Sequence, residues 1–329
     1  MNSSFRRVLA LSLAALAATV TSCSSNASPR TSTPAPTSTP AAQSNYPFTI
    51  ENCGRTYTYT QAPTRVLAGW PKTVETLNDL GVGSTLIGYL AGKFGPAPQG
   101  STGKALTPEY APSAETILTA KPDFFLANGD TQLSGSQGSV TPDDLSQSGT
   151  NVYVMGNDCK DTKGGTTVDT VYQDITNLGR IFNVPDKAIA LNGTLRARVA
   201  AAAGLRGSAP APRIAYVQVF DDKLYALSGL SYAAQVEGVG GMNILADPTQ
   251  RFGEISPEKV LTLDADAIVF AYNFELETID QQKSQIVKTL ANSRAVRENK
   301  IVGVPNTLAE GPGVAVVEAI ELIAKTIYR

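Results

Sequence analysis

The sequence predicts an α/β protein in which two similar lobes are joined by a single long α-helix. The helix is expected from Val184 to Gly204, where apolar side chains recur at three- and four-residue intervals and so share one face. Pro185 suits the first turn of a helix, and Gly204 suits its end. The second observation is an internal repeat on either side of this helix, and the two observations together define the fold class.

The repeat is clearest in two segments of equal length. Residues 113–126 (SAETILTAKPDFFL) and 256–269 (SPEKVLTLDADAIV) carry Ser, Glu, Leu, Thr and Asp at matching positions. Each segment reads as a helix that begins at its serine and is followed by a strand. Earlier in each half, a β-rich run is followed by a predicted helix with a glutamate before a glycine, at Glu75 and at Glu237. This ordered series predicts two lobes of similar construction.

The chain divides into a non-globular start and a folded remainder. Residues 24–44 consist mainly of Ser, Thr, Pro and Ala, which bury too little apolar surface to fold. We expect five parts: a signal peptide at 1–22, a lipidated disordered tether at 23–45, an N-terminal α/β lobe at 46–183, the connecting helix at 184–204 and a C-terminal α/β lobe at 205–329.

The first residues have the pattern of an export signal. Arg6 and Arg7 precede an apolar run that is too short to span a bilayer as a mature helix. The run ends in VTSC, which resembles the lipobox of bacterial lipoproteins, so Cys23 is expected to carry the lipid. The alternative is an ordinary signal peptide with an incidental cysteine. Lipidation would anchor the exported protein to the outer face of the cytoplasmic membrane.

Composition excludes several classes of function. The net charge is −2, so no strongly basic surface argues for nucleic acid. The chain has no histidine, which removes Ser-His-Asp and Cys-His catalysis and any histidine-built zinc or haem site. Two cysteines, Cys53 and Cys159, follow the lipobox. Export favours a disulfide between them, with two buried free thiols as the alternative.

The N-terminal lobe should hold several strands and helices. Val74, Leu77 and Leu80 share the core face of one predicted helix, which directs Glu75 to solvent. Residues 91–112 are rich in Gly and Pro and read as a long loop. The predicted elements are a hairpin at 48–51 and 56–60, strands at 66–70, at 122–127 and ending near Tyr89, a helix end and strand at 145–153, and helices at 71–80 and 168–182.

The C-terminal lobe repeats this alternation. A strand at 213–220 turns at Asp221-Asp222 and returns over 224–227. A loop at 247–253 is expected to carry Arg251 and Phe252. The remaining predicted elements are helices at 232–238 and 313–328 and strands at 243–245, 268–272 and 301–304.

Taken in order, four motifs resemble the substrate-binding lipoproteins of ABC importers that carry ferric siderophores, haem or cobalamin. The motifs are VETLNDLG at 74–81, SAETILTAKPD at 113–123, EGVGGMN at 237–243 and ISPEKVLTLDAD at 255–266. NCG at 52–54 and DC at 158–159 also resemble the paired cysteines of actinobacterial members. The resemblance covers Phe48 to the C-terminus. It implies two lobes around a ligand cleft, a permease-dimer partner, and no catalysis or cofactor.

Ligand-binding residues are expected on loops at the carboxyl ends of the strands, which would line the cleft. A single rigid helix should leave that cleft largely pre-formed. Aromatic faces would pack a bulky chelate, while Arg or Lys would meet its oxygens without protein atoms touching the metal. The candidates are Trp70, Lys93, Phe94, Tyr110, Asn128, Tyr225, Tyr232, Arg251, Phe252, Tyr272 and Asn273.

The resemblance also implies a docking role for Glu75 and Glu237, which occupy matched helices and would meet arginines on the permease. A ferric siderophore is the preferred ligand, since a planar guanidinium suits anionic chelate oxygens. Haem stays an alternative ligand because a tyrosine can bind its iron. Cobalamin stays an alternative because aromatic side chains can contact it. An exported enzyme with paired carboxylates and an adhesive lipoprotein without a ligand are the alternatives from other classes.

Overall fold

A computed structural model describes residues 45–159, 166–247, 250–273 and 278–329. The predicted signal peptide, Cys23 and nearly all of the predicted tether lie outside these residues. No helix in the described ranges is long and apolar enough to cross a membrane.

The N-terminal lobe, which we define as the described residues before the connecting helix, contains a parallel five-stranded sheet. The strand order is β5-β4-β3-β6-β7. The strands are β3 (Val66–Ala68), β4 (Leu86–Tyr89), β5 (Lys104–Ala105), β6 (Phe124–Ala127) and β7 (Asn151–Val154). The helices are α1 (Pro71–Asp79), α2 (Ala114–Ala120), α3 (Pro142–Gln147) and α4 (Val168–Ile181).

An antiparallel hairpin precedes this sheet, at the position that the sequence predicts. It consists of β1 (Phe48–Asn52) and β2 (Arg55–Tyr59). The buried Tyr59 hydroxyl donates to the carbonyl of Val152 at 3.0 Å, and Asn52 exchanges two hydrogen bonds with the backbone of Val154. The hairpin is therefore fixed against β7 at the edge of the sheet.

The C-terminal lobe, which follows the connecting helix, contains a mixed sheet of six strands. Its strand order is β11-β9-β8-β12-β13, with β10 also paired to β8. The strands are β8 (Arg213–Phe220), β9 (Lys223–Leu227), β10 (Met242–Asn243), β11 (Phe252–Glu254), β12 (Ala267–Tyr272) and β13 (Ile301–Pro305). The helices are α6 (Leu230–Gly238), α7 (Pro257–Thr262), α8 (Ile279–Thr289), α9 (Arg294–Arg297), α10 (Asn306–Ala309) and α11 (Val314–Ile327).

One long helix, α5 (Pro185–Gly204), connects the lobes, and it lies where the spacing of apolar residues predicts it. It packs against α4 and α11. Leu195 is fully buried at this contact, and Arg198 makes a two-pronged ion pair with Glu321 of α11 at 2.9 and 3.0 Å. The helix is therefore held along its length by helices from both lobes.

The hydrophobic core runs through both lobes. One cluster of buried side chains contains Val66 and Phe124 of the first sheet, Ile214 and Tyr216 of the second, and residues of α4, α5 and α11. Two smaller clusters cover the remaining faces of the sheets. Because the largest cluster is continuous, the two lobes share a core in addition to the connecting helix.

One local prediction needs correction, and one helix was not predicted. Phe252 was expected on a loop, but it begins β11, which pairs antiparallel with β9. The segment 279–289 was not assigned a helix from sequence. It forms α8, and Thr278 caps the start of this helix in a reciprocal pair of hydrogen bonds with Gln281. Its apolar pattern is weak, because only Gln282 and Ile286 are buried on its inner face.

Candidate functional site

A small cavity lies between the lobes, with a volume of about 110 Å³. Residues of the N-terminal lobe on its wall are Tyr110, Asn128, Met155, Gly156, Asp158 and Thr166. Residues of the C-terminal lobe on its wall are Leu230, Ser231, Tyr232, Glu310 and Pro312. Three of the predicted binding residues, Tyr110, Asn128 and Tyr232, are therefore brought together.

Asn128 comes from the point where the order of the first sheet reverses. β3 and β6 are neighbours in the sheet but distant in sequence, and open α/β sheets bind ligands at such switch points. The backbone N–H of Asn128 donates to Gln132 Oε1 at 2.7 Å. Gln132 is fully buried, and its amide nitrogen donates to the carbonyls of Gly69 and Tyr110. One glutamine thus fixes two residues of the cavity wall, Asn128 and Tyr110, to the backbone of Gly69 just after β3.

Tyr110 and Tyr232 supply phenol groups to the cavity. Burial raises the pKa of Tyr110 to about 12, and burial also raises the pKa of Tyr232 well above its usual value. Tyr232 packs edge-on against Tyr216 with ring centroids 5.0 Å apart. Both phenols are therefore neutral at physiological pH and can donate or accept a hydrogen bond.

Two carboxyl groups face the same cavity. Burial raises the pKa of Glu310 to about 7, and within the described ranges its carboxyl group makes no hydrogen bond or ion pair. Burial also raises the pKa of Asp158, although Arg251 opposes this shift. The wall of the cavity is consequently rich in hydrogen-bond acceptors.

Arg251 reaches across the cleft to Asp158. Its guanidinium makes an ion pair with the Asp158 carboxylate and donates to the carbonyl of Cys159 at 3.3 Å. Arg251 lies in the C-terminal lobe and Asp158 in the N-terminal lobe, so the pair links the lobes directly. The sequence predicts that Arg251 meets the ligand, and in the structure its charge is matched by the Asp158 carboxylate.

A second and larger cavity, of about 620 Å³, lies on the Arg251 side of this ion pair. Apart from Arg251, its lining comes from the N-terminal lobe and includes Tyr57, Asp130, Thr131 and Leu133. The N–H of Asp130 donates to the carbonyl of Asp158 at 2.9 Å. The two cavities are therefore adjacent, and the ion pair lies between them.

Trp70 was predicted to line the cleft, and the structure places it beneath the surface instead. Its ring has no exposed area, packs against Phe94 and Tyr110, and donates from Nε1 to the carbonyl of Thr307 at 3.0 Å. Because Thr307 belongs to α10, Trp70 supports the cavity wall from behind and connects the lobes. Lys93 is exposed, with its ammonium 5.4 Å from the Phe94 ring, and it does not reach the small cavity.

The remaining predicted binding residues are not on the small cavity. Tyr225 and Phe252 stack on each other across β9 and β11 with centroids 4.4 Å apart, and Phe252 is 49% exposed. Tyr272 packs against Phe270, and Asn273 is buried at the end of β12. These four side chains therefore do not join Tyr110, Asn128 and Tyr232 on the wall of the small cavity.

The two glutamates predicted to dock a permease are also engaged within the protein. Lys72 binds both Glu75, at 2.7 Å, and Glu318 of α11, at 2.8 Å, so Glu75 is not directed freely to solvent as expected. Glu237 is exposed, but one of its oxygens accepts from the N–H of Val168 at 2.9 Å, at the start of α4.

Sequence reasoning missed Gln132, Asp158 and Glu310 as site residues. Asp158 was noted only beside Cys159, to which a disulfide joins Cys53 in the structure, as expected from sequence. Glu310 precedes Gly-Pro-Gly between α10 and α11, and a charged residue in such a loop after a parallel strand is the signal that could have identified it. No cluster of three or more His, Cys, Asp or Glu in the described parts of the chain could hold a metal ion.

The sequence matches the family described as periplasmic binding protein over residues 57–308. This match covers most of the chain, and the protein therefore belongs to that family. A search of curated proteins finds no match.

Solved structures resemble the fold over most of its length. A structure of an ABC-type Fe3+-hydroxamate transport system from Saccharomonospora viridis is 27% identical, with a TM-score of 0.70, covering 85% of this chain and 99% of that one. A periplasmic haem-binding protein from Pseudomonas aeruginosa is 21% identical (TM-score 0.61; 81% and 93% covered). The periplasmic vitamin B12-binding protein of Vibrio cholerae is 20% identical (TM-score 0.59; 80% and 96% covered).

The family and the two-lobed fold define a solute-binding protein of ABC import, which is not an enzyme. Proteins of this family work outside the cytoplasm with ABC-transporter permeases. The predicted fold class and family are confirmed.

Proposed function

We propose that the protein is a lipoprotein that captures a ferric siderophore and delivers it to an ABC importer. The observation that carries this proposal is the pair of adjacent cavities at the lobe junction, lined by phenols, carboxyls and two arginines, Arg55 and Arg251. The likeness to the Fe3+-hydroxamate transport structure supports the same ligand class. A ferric siderophore presents its own ligands to iron, so it needs no metal-binding cluster from the protein.

Ligand entry requires local opening. The small cavity of about 110 Å³ falls below the 300–1,000 Å³ that is usual for small-molecule sites, whereas its neighbour of about 620 Å³ lies within that range. We expect the chelate to occupy the larger cavity and to separate Arg251 from Asp158. The guanidinium would then be free to meet chelate oxygens in a two-pronged contact. The sequence predicts a largely pre-formed cleft, whereas this proposal requires the ligand to open the ion pair before the site is complete.

Haem is the less favoured ligand. Without histidine, tyrosine is the expected axial ligand, and an axial tyrosine binds iron as the phenolate. Burial raises the pKa of both Tyr110 and Tyr232, which disfavours the phenolate in this cavity. Cobalamin is also less favoured, because it has few groups that a charged side chain such as Arg251 would bind.

Fluorescence of Trp70 provides the test, since it is the only tryptophan and its indole binds the backbone of α10. Ferric hydroxamates and ferric catecholates should quench it with saturation, while cyanocobalamin and haemin should not. Calorimetric titration of the same panel controls for optical absorption by the ligands. Tight binding of haemin or cyanocobalamin, with no response to any ferric siderophore, would overturn the ligand class.

We propose lipidation at Cys23 from the lipobox-like VTSC sequence. In the native host, Cys23→Ala should move the protein from the membrane fraction to the soluble or secreted fraction. Cys23→Ser removes the same thiol with a smaller change of side chain and should behave identically. A variant that stays in the membrane fraction would contradict the anchor.

We also propose that Glu75 and Glu237 dock the permease, since they occupy corresponding helices of the two lobes. Charged contacts of this kind mainly steer association and set orientation. The double variant Glu75→Lys/Glu237→Lys should abolish uptake without changing affinity for ligand. Because both residues have internal partners, thermal unfolding of the purified variant must accompany the assay. Glu258→Lys, on an exposed turn of α7, is the matched control, and normal uptake by the double variant would refute docking.

A further inference from the structure

The small cavity contains two acceptor groups that no protein atom satisfies. Asn128 is 7% exposed, and its Oδ1 has no hydrogen-bond partner in the described residues. Its Nδ2 donates to the carbonyl of Glu310 at 3.4 Å, which distinguishes the two ends of the amide. An orphaned acceptor at this depth costs free energy unless a bound molecule supplies a donor.

The carboxyl group of Glu310 is the second such group, and it faces the same space. Glu310 is held at its backbone, where its N–H donates to the carbonyl of Asn306 at 2.9 Å and its carbonyl accepts from Asn128. The loop is therefore anchored on both sides while the side chain stays without a donor. Arg251, which lies at the cleft, is paired with Asp158.

We propose that Glu310 and Asn128 form a subsite for a protonated amine on the ligand, so that the protein prefers ferric chelates that carry an ammonium group. This inference rests on the proposed function and specifies the ligand within it. An ammonium has three donors and no acceptor, which matches the Asn128 Oδ1 and the two carboxyl oxygens. A chelate whose only charge is anionic would place like charge beside Glu310.

The groups around Glu310 keep a constant charge near neutral pH, so the pH dependence of ligand binding at this subsite should follow the ionisation of Glu310. Tyr110, Tyr216 and Tyr232 interact with it and remain neutral, since burial raises the pKa of each. Asp158 keeps its charge matched by Arg251. The pKa of Glu310 itself lies at about 7, so affinity for an amine-bearing chelate should rise with pH across neutrality.

The test compares two probes that differ only at the amine. One is the ferric complex of a linear trihydroxamate with a terminal primary amine, and the other is its N-acetylated derivative. Calorimetry on the wild-type protein should show tighter binding of the amine form by about tenfold or more, the usual effect of a charge-assisted hydrogen bond. The preference should grow between about pH 6 and pH 8 as Glu310 ionises.

Glu310→Gln should bring the ratio of the two affinities close to one and remove its pH dependence, whereas Glu258→Gln on the surface should leave the ratio unchanged. Equal binding of both probes by the wild-type protein at every pH would overturn the subsite and leave the proposed function standing. Binding of neither probe, nor of any other ferric siderophore, would overturn both. The wild-type comparison decides the question even if Glu310→Gln does not fold.

Discussion

Arg251 and Asp158 form the contact on which the closed cleft depends at the scale of single residues. The aspartate side chain is only 13% exposed, so its charge relies on the arginine for compensation. Removing one partner of a buried ion pair leaves an uncompensated charge, which costs more than removing both. The ion pair therefore stabilises the protein without ligand, and we propose that it separates when the ligand binds.

Arg251→Ala should lower the free energy of unfolding at pH 7 by about 1–3 kcal/mol, because the buried Asp158 carboxyl group loses the partner that favours its charged form. The double variant Arg251→Ala/Asp158→Asn should recover much of this loss. Denaturant unfolding of the four proteins in a double-mutant cycle gives the interaction free energy. A double variant less stable than Arg251→Ala alone would show that the pair is not the cause.

Asp174 is a second residue whose charge matters, although it lies outside the cavity. It is buried on α4 and accepts from the Tyr153 hydroxyl at 2.8 Å and from the N–H of Gly156, a cavity residue, at 2.6 Å. Burial raises the pKa of Asp174 to about 7, against the effect of these hydrogen bonds. The folded protein therefore holds a proton there that the unfolded chain releases near pH 4.

The stability that Asp174 contributes should consequently fall as pH rises from about 4 to about 7, because the unfolded chain binds fewer protons in that window. Asp174→Asn lacks this effect. Its stability deficit relative to wild type should be largest near pH 4.5 and should shrink towards pH 7.5, by at most about 4 kcal/mol. Urea unfolding of both proteins across this range measures the difference, and a constant deficit would contradict the shifted pKa.

The disulfide and the hairpin act together at the scale of secondary-structure elements. Cys53 lies at the turn between β1 and β2, and Cys159 follows β7, so the bond closes a loop across 106 positions. Asn52 pairs with the backbone of Val154 on the same edge. Because Asp158 precedes Cys159, these contacts also fix the strand end that presents the carboxylate to Arg251.

Replacing both cysteines with serine should destabilise the protein by up to about 4–5 kcal/mol, the entropic value for a loop of this length. Ligand affinity should also fall, since Asp158 and its neighbours lose their tether. Chemical denaturation of the variant, with the oxidised and the reduced wild type as references, checks the first effect. An unchanged unfolding midpoint in the variant would mean that the bond contributes no net stability.

The shared core governs behaviour at the scale of the whole molecule. α5 lies between α4 and α11, and the largest buried cluster includes side chains from both sheets. An opening of the entire cleft by a hinge would break this core. Ligand entry is therefore expected to move the loops around the ion pair more than the lobes themselves.

Leu195→Ala tests the shared core, because Leu195 is fully buried on α5 at the contact with the neighbouring helices. The cavity left behind should lower the free energy of unfolding by about 2–5 kcal/mol. Unfolding should remain a single transition when followed by Trp70 fluorescence, which reports the contact of the N-terminal lobe with α10, and by far-ultraviolet circular dichroism, which reports the secondary structure of both lobes. Ile189→Ala, at a position 70% exposed on the same helix, is the control. Two separate transitions would show that the lobes fold independently.

Much of the architecture follows from the sequence alone. The period of apolar residues places α5 and the core face of α1, since burial of that face is the main force that stabilises an amphipathic helix. The repeat gives two lobes, and the lack of histidine excludes whole classes of site. These properties are encoded locally, in spacing and composition, and can be read without knowing which segments meet.

Only the tertiary structure decides which side chains share the cleft. Asp158 and Arg251 are 93 positions apart, and Asn128 and Glu310 are 182 apart, so no local pattern brings either pair together. Trp70 looked like a cleft residue at a strand end, but the packing of α10 over it removes it from the surface. Strand order and lobe contact set these distances, which is why the sequence predicted the fold and only part of its site.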